Sequence, residues 1–211
     1  MGRCACTDDK GLTVDQLNRR KERQGDRALL DQILDEAKVA TVSTVVDGLP
    51  WSVPMLFARH NDEILLHGST GAGALRHIAA GAPVALSAFI ADGLVVADTL
   101  FDHSMNYRSA VVRGVIEKSS LDPAQALTAL SDSILPGRSA EVPPHTSKQL
   151  AATLVLSLPI IDGQWITKAR KGGPGDDDAA GWTGEVPMRV VYGEPVTHTA
   201  GDVPESVRRL G

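Results

Sequence analysis

Between Val39 and Gly114 the chain repeats short runs rich in Val, Leu, Thr and Phe, separated by turn dipeptides and interrupted by one helical patch. That rhythm restricts the fold more than any other feature, because it is the pattern of an antiparallel β-meander. Val39–Val46 and Trp51–His60 flank Asp47-Gly48-Leu49-Pro50, where Asp-Gly supplies the positive-φ positions of a tight hairpin. Asn61-Asp62 turns the chain into Ile64–Gly68. Ala72–Ala80 carries Leu75, Ile78 and Ala79 at helical spacing, with Gly81 and Pro83 beyond it as stop signals. A second Asp-Gly, Asp92-Gly93, reads as the turn joining Val84–Ala91 to Leu94–Phe101, and a long strand follows from Asn106 to Glu117. Asp122-Pro123 predicts an N-cap and a first-turn proline, opening an amphipathic helix that ends before Pro136-Gly137. Lys148–Ala152 predicts a helical turn, Thr153–Ile161 and Gln164–Ala169 two strands, and Met188–Tyr192 a last short strand. At least seven strands with two or three peripheral helices hide their edges most economically as a closed or partly closed antiparallel barrel.

Charge and length then remove whole classes of function. With 21 Lys and Arg against 26 Asp and Glu, the net charge of −5 offers phosphate backbones no general attraction, so nucleic acid is not an expected partner. No apolar run approaches the roughly 20 residues of a membrane span; Leu154–Ile161 is broken by Ser157 and Pro159. Met1–Lys10 has no apolar middle segment of a secretory signal, and Cys4 and Cys6 stand too close for an unstrained bridge. Both point to a reducing cytoplasm. The 211 residues divide into a flexible N-terminal arm (1–20), one domain (21–200) and a C-terminal tail (201–211). Asp176-Asp177-Asp178 lacks the remainder of a calcium loop and reads as a solvated charge run in an exposed loop. No zinc-like His/Cys spacing and no nucleophile elbow occurs.

Two constellations carry chemistry. His67-Gly68-Ser69-Thr70-Gly71-Ala72-Gly73-Ala74-Leu75-Arg76 runs from a strand end through small residues into a helix, an arrangement suited to a phosphate: first-turn N–H groups, the Ser69 and Thr70 hydroxyls and the Arg76 guanidinium converge. It is neither a Walker loop nor a dinucleotide fingerprint. The second is Asn106-Tyr107-Arg108-Ser109 on the long strand. Alternation puts Arg108 on one face with Ala110 and Val112, and Tyr107, Ser109, Val111 and Arg113 on the other. An arginine among small apolar neighbours needs a carboxylate or a phosphate in its fork, so Arg108 is either a structural ion pair or a ligand contact. His67 stands at the mouth of the loop, where an imidazole could meet a bound ring.

With these residues in view the chain resembles a known family. Val45-Val46-Asp47-Gly48-Leu49-Pro50, Leu66-His67-Gly68-Ser69-Thr70, His103-Ser104-Met105-Asn106-Tyr107-Arg108-Ser109 and Lys168-Ala169-Arg170-Lys171-Gly172-Gly173-Pro174 with Trp182-x-Gly184 are similar to the ordered motifs of the pyridoxamine 5′-phosphate oxidase-like, flavin-nucleotide-binding proteins, in the branch with nitroimidazole-resistance proteins. The resemblance implies a split β-barrel, built as a homodimer, with FMN in a groove between the subunits. It assigns Ser69, Thr70 and Arg76 to the phosphate end, and Asn106, Tyr107, Arg108 and Ser109 to the strand beside the flavin. His67 falls near the flavin ring, Val53, Pro54 and Met55 offer it backbone groups, and Lys168, Arg170 and Trp182 approach from the C-terminal segment. Relatives commonly carry a serine and a basic residue where this chain has Gly73 and Ala74. The Arg- and Trp-rich C-terminal motif of true pyridoxamine-phosphate oxidases has no counterpart here, which disfavours vitamin B6 oxidation.

The function so implied is an FMN-dependent oxidoreductase passing electrons between a small-molecule donor and acceptor, with the flavin as catalyst. The alternatives are a flavin carrier or sensor without turnover, and a split barrel that uses haem or a deazaflavin, with His67 as candidate iron ligand.

Overall fold

A computed structural model describes Asn18 and residues 20–175 and 180–211. Cys4, Cys6, Asp176-Asp177-Asp178 and nearly all of the expected N-terminal arm lie outside the described residues. Among these residues eight strands form one sheet: β1 Val39–Val46, β2 Leu49–His60, β3 Glu63–Ser69, β4 Pro83–Val96, β5 Ser104–Val115, β6 Thr153–Pro159, β7 Trp165–Arg170 and β8 Gly184–Pro187. All pairings are antiparallel, in the order β6-β3-β2-β1-β4-β5-β7, with β8 on β4. Among the described residues five α-helices flank it: α1 Arg27–Glu36, α2 Gly73–Ala79, α3 Pro123–Ile134, α4 Ser147–Ala152 and α5 Glu205–Arg208. The architecture is a split β-barrel with peripheral helices.

The split has a local cause in β2. Residues Leu49 to Leu56 pair with β1, whereas Phe57 to His60 pair with β3, so one long strand serves two parts of the sheet. Leu66 is the last β3 residue in that ladder, and from His67 onward β3 pairs only with β6. At the far side the barrel is closed by a single bridge: the Glu117 N–H donates to the Ser157 carbonyl at 2.7 Å and the Ser157 N–H donates back at 3.1 Å. Glu63, buried beside this closure, accepts from the Ser157 and Ser120 hydroxyls and from the Ser120 N–H.

Leu30, Ile33 and Leu34 of α1 complete the core, packing with Ala40, Val42, Phe57, Ile64, Leu66, Leu86 and Val112. The Asp26 side chain caps α1 by accepting from the Leu29 N–H at 3.0 Å. A smaller cluster, Ala58, Leu65, Ala126, Leu127 and Leu130, seats α3, whose start is fixed by a reciprocal capping box of Asp122 and Gln125 and by Pro123.

Two local expectations are corrected. Asp92-Gly93 is no hairpin turn: β4 runs straight through it, and the register with β5 slips between Ala91 and Gly93, leaving Asp92 as the extra residue of a bulge. The physical reason is long-range. β8 crosses β4 so closely there that a Cβ on Gly93 would lie 2.9 Å from the Val186 carbonyl oxygen. The last strand is accordingly Gly184–Pro187, and Met188–Tyr192 leaves the sheet as a strap after one hydrogen bond, Met188 N–H to Asp92 O at 3.0 Å. In the segment 201–211, α5 docks where Ser206 donates from its N–H and hydroxyl to Glu141. Among the described residues no helix is long and apolar enough to cross a membrane.

Candidate functional site

Strand β5 alternates as its sequence predicts: Asn106, Arg108, Ala110 and Val112 are buried, while Tyr107, Ser109, Val111 and Arg113 are half-buried on the other face. Arg108 stands where this strand, the Asp92 bulge and the C-terminus of α1 meet. Its Nη1 and Nη2 form a fork on the Glu36 carboxylate, the Nη2 contact being 2.9 Å. Nη2 and Nε form a second fork on Asp92, at 2.7 and 3.0 Å. Of the two alternatives left by the sequence, a ligand phosphate or an internal ion pair, the geometry gives the ion pair. All three guanidinium nitrogens have carboxylate partners within the chain. Those contacts hold the Arg108 guanidinium further above its ordinary range, and the Arg108 hydrogen bond holds the Glu36 carboxyl below the usual carboxylate range despite the opposing effect of burial.

Asn106 is the neighbouring hub. Its Nδ2 donates to Glu185 of β8, and its Oδ1 accepts from Arg170 Nη1 at 2.6 Å. Arg170 also donates to the carbonyls of Gly172 and Gly173. It therefore ties β7 and the following loop to β5, and its guanidinium is engaged inside the chain. The same-face residues Tyr107, Ser109 and Lys168 form an outward patch: Ser109 pairs with both Lys168 and Phe89, and the Tyr107 ring stacks on Phe89 with centroids 5.9 Å apart. Val53, Pro54 and Met55 lie in β2 opposite Val42, Thr41 and Ala40, with Pro54 exposed and the other two half-buried against the core. Trp182 is exposed and lies against Gly184 at the entry to β8.

The predicted phosphate loop sits elsewhere, between β3 and α2. Its backbone is partly self-satisfied, because Thr70 N–H donates to Ala152 O, Gly71 N–H to Ser69 Oγ and Ala72 N–H to Ser69 O. What faces solvent is the pair of hydroxyls on Ser69 and Thr70 and the exposed Arg76. No side chain among the described residues pairs with Arg76. His67 is half-buried, its Nδ1 is a buried atom without a hydrogen-bond partner, and burial pushes its imidazole toward the neutral form. In one chain the structure thus gathers Asn106, Arg108 and Arg170 into one network, Tyr107, Ser109 and Lys168 into one patch, and His67, Ser69, Thr70 and Arg76 at one turn. Three strands, β2, β1 and β4, separate that turn from β5 in the sheet.

A cavity of about 980 Å³ runs along the Phe89–Asp92 stretch of β4, under the strap and beside the α1–β1 link. A second hollow of about 350 Å³ lies across the Arg108 network and reaches Asn106 and Lys171. Arg108 belongs to both, whereas no residue of the β3–α2 turn belongs to either. The sequence reading missed Glu36, Asp92 and Glu185. The Asp26 cap with apolar residues at 30, 33 and 34 is the signal that places Glu36 at a helix end; the other two have no local signal. Among the described residues no three His, Cys, Asp or Glu side chains are placed to hold a metal ion.

A barrel split along one long strand, with peripheral helices, defines the class of split β-barrels. The chain belongs to the pyridoxamine 5′-phosphate oxidase family, whose model matches residues 26–163. Among solved structures, it is similar to the FAD and haem binding protein from Mycobacterium smegmatis, with 43% identity over 89% of this chain and 97% of that one and a TM-score of 0.85. A flavocytochrome from Azotobacter vinelandii matches at 27% identity over 97% of both chains, TM-score 0.78. A putative 5-nitroimidazole antibiotic resistance protein from Bacteroides thetaiotaomicron shares the fold at 22% identity over 68% of this chain and 83% of that one, TM-score 0.57. No curated protein matches the sequence.

Proposed function

We propose that the chain binds a flavin nucleotide in a groove between two copies of itself and works as an oxidoreductase between a small-molecule donor and acceptor. The observation that carries this reading is the 43% identity, over nearly the whole length, with a protein described as binding FAD and haem. That likeness favours FAD over the FMN expected from sequence alone. The chain's own surface fits a flavin in part: the Ser69 and Thr70 hydroxyls and the unpaired Arg76 suit a phosphate, and the exposed Phe89–Tyr107 stack beside Ser109 and Lys168 suits a flat ring. Arg108 and Arg170 act one step back, holding the β5 face in place. When bound, the flavin supplies the redox chemistry; these residues supply position, exclusion of water and hydrogen bonds.

A second reading adds haem. It is favoured by His67, whose imidazole burial pushes toward the neutral form and whose buried Nδ1 has no hydrogen-bond partner, at the point where the barrel opens. One experiment addresses both. Protein purified without added cofactor is scanned for flavin and Soret absorption, and the small molecules released on denaturation are identified by mass spectrometry. FAD or FMN is the expected finding. Colourless protein that binds neither nucleotide on titration overturns the flavin reading. Anaerobic mixing with NADH and NADPH then separates an oxidoreductase, whose flavin is reduced, from a carrier, whose flavin is not.

A further inference from the structure

Helix α3 is seated apart from the rest of the protein. None of its residues belongs to the main core; its buried side chains, Ala126, Leu127 and Leu130, pack on Ala58 of β2 and Leu65 of β3 in a cluster of their own. The same region of sheet sends its other face, with Phe57, Ile64, Leu66, Leu156 and Leu158, into the main core. Lifting α3 away uncovers one side of β2 and β3 and leaves the core on the other side packed.

The course of the chain permits such a movement. Residues 118–152 leave the sheet after Glu117 and return at Thr153, where β6 begins. Glu117 is held to Ser157 of β6 by the two hydrogen bonds of the closing bridge, so both ends of this excursion are fixed to strands without help from α3. The excursion also coheres internally. The capping box of Asp122 and Gln125 fixes the start of α3, and Ser139 donates from its N–H and hydroxyl to Asp132, which ties the turn Arg138–Ala140 to the helix. Helix α5 rides on the same unit through Ser206 and Glu141.

Few polar contacts hold the unit down. At the C-terminal end of α3, Lys38 Nζ donates to the Ser133 carbonyl at 2.7 Å, and the Ser133 hydroxyl donates to the Phe57 carbonyl at 3.3 Å. At the other end, two residues before the Asp122 cap, Ser120 donates from its N–H and its hydroxyl to the Glu63 carboxylate. The Ser157 hydroxyl donates to the same carboxylate at 2.5 Å, so Glu63 joins β3, β6 and the approach to α3 at one point. Lys38 and Ser133 are half-buried, whereas Glu63 is only 9% exposed, where bonds to a charged acceptor are strong and their loss is costly.

We infer that α3, with the turn Arg138–Ala140, is a cover that lifts from β2, β3 and β6 while the barrel stays folded, and that Glu63 is the latch that keeps it closed. Glu63, Leu65 and His67 alternate onto one face of β3, so the opening uncovers an apolar strip that runs to His67. The inference requires neither the flavin nor the haem reading.

The test is amide hydrogen exchange of the full chain at a series of urea concentrations below the unfolding transition. Leu127 and Leu130 are expected to exchange through one shared opening, with a smaller urea dependence than Leu86 and Val112 of the β4–β5 ladder, because that opening exposes less surface. Val112→Ala should speed exchange at Leu86 by about tenfold and leave Leu127 and Leu130 within about twofold, since the core stays packed in the open form. Glu63→Gln keeps the shape of the side chain and removes its charge; it should speed exchange at Leu127 and Leu130 by about tenfold. Ser120→Ala, a milder variant, should act in the same direction, and the double variant should fall short of the product of the two singles. Exchange of α3 only together with the ladder, at the same urea dependence, overturns the cover, as does equal acceleration of both sets by Val112→Ala. Unchanged α3 exchange in both Glu63→Gln and Ser120→Ala, or strictly multiplicative effects of the two, overturns the latch.

Discussion

Arg108 shows how far a single residue can be read from sequence and where the reading stops. Its position on the buried face of β5, beside Ala110 and Val112, follows from alternation alone. So does the need for an anionic partner. Which anion it meets depends on Glu36, 72 residues earlier, and on a bulge that no local pattern announces. The two forks predict that Arg108→Met lowers stability, because Glu36 and Asp92 are then like charges facing each other without a counter-ion. Glu36 is 49% exposed, so water screens part of the loss; about 2 kcal/mol is expected, read as a fall in Tm of roughly 4–8 °C in a chain of this size. Flavin affinity should change little, and a large loss of affinity at unchanged Tm would restore the ligand role. Glu36 adds a pH dependence of defined sign. Its folded pKa lies below its unfolded value, so its contribution is fully present above about pH 4.3 and is lost as pH falls through the lower folded value. Glu36→Gln should flatten that part of the decline in urea midpoints between about pH 6 and about pH 3, and an unchanged slope would remove Glu36 as its source.

At the scale of elements, the strands β1, β2, β3 and β5 were legible because each is a run of apolar and β-branched residues bounded by its own turn residues. Asp47-Gly48 behaves as its dipeptide predicts, with both residues at positive φ. The identical dipeptide at Asp92-Gly93 does not, because the close approach of β8 decides there and β8 is about 90 residues away in the chain. Helix α1 carried its signals in plain view, an Asp26 cap before Leu29, Leu30, Ile33 and Leu34, yet the sequence reading assigned no element there. The two glycines Gly93 and Gly73 make this difference measurable. Gly93→Ala places its Cβ against the Val186 carbonyl and 3.3 Å from Pro187 Cα, so β8 must move. A cost of about 1–3 kcal/mol is expected, with faster amide exchange at Met188, whose N–H bonds to Asp92. Gly73→Ala opens on empty space at the first position of α2 and should stabilise by roughly 0.5 kcal/mol. If both substitutions behave alike, the bulge is not what fixes β8.

For the molecule as a whole, the open question of architecture is what covers the outer sheet face. Thr41 and Ser43 of β1, Ser52 of β2, Ser87 of β4, and Val111 of β5 lie on it, with Ile166 of β7 beside Val111. Small and apolar residues at the middle of this face, between Arg113 and Lys168, suit contact with a second copy, and the proposed flavin groove would bring the β3–α2 turn of one copy to the β5 face of another. A two-fold dimer does this with one kind of contact, so each substitution on the face acts twice. Val111→Glu is the sharpest probe: the residue is half-buried in the single chain, where a glutamate still reaches water, but at a covered interface the same carboxylate would be buried without a partner. Sedimentation should show the wild type as a dimer and Val111→Glu as a monomer with the same circular dichroism, and the monomer should lose its flavin. A dimer that tolerates Val111→Glu places the contact on another face, and a monomer that keeps its flavin shows that one chain completes the site alone.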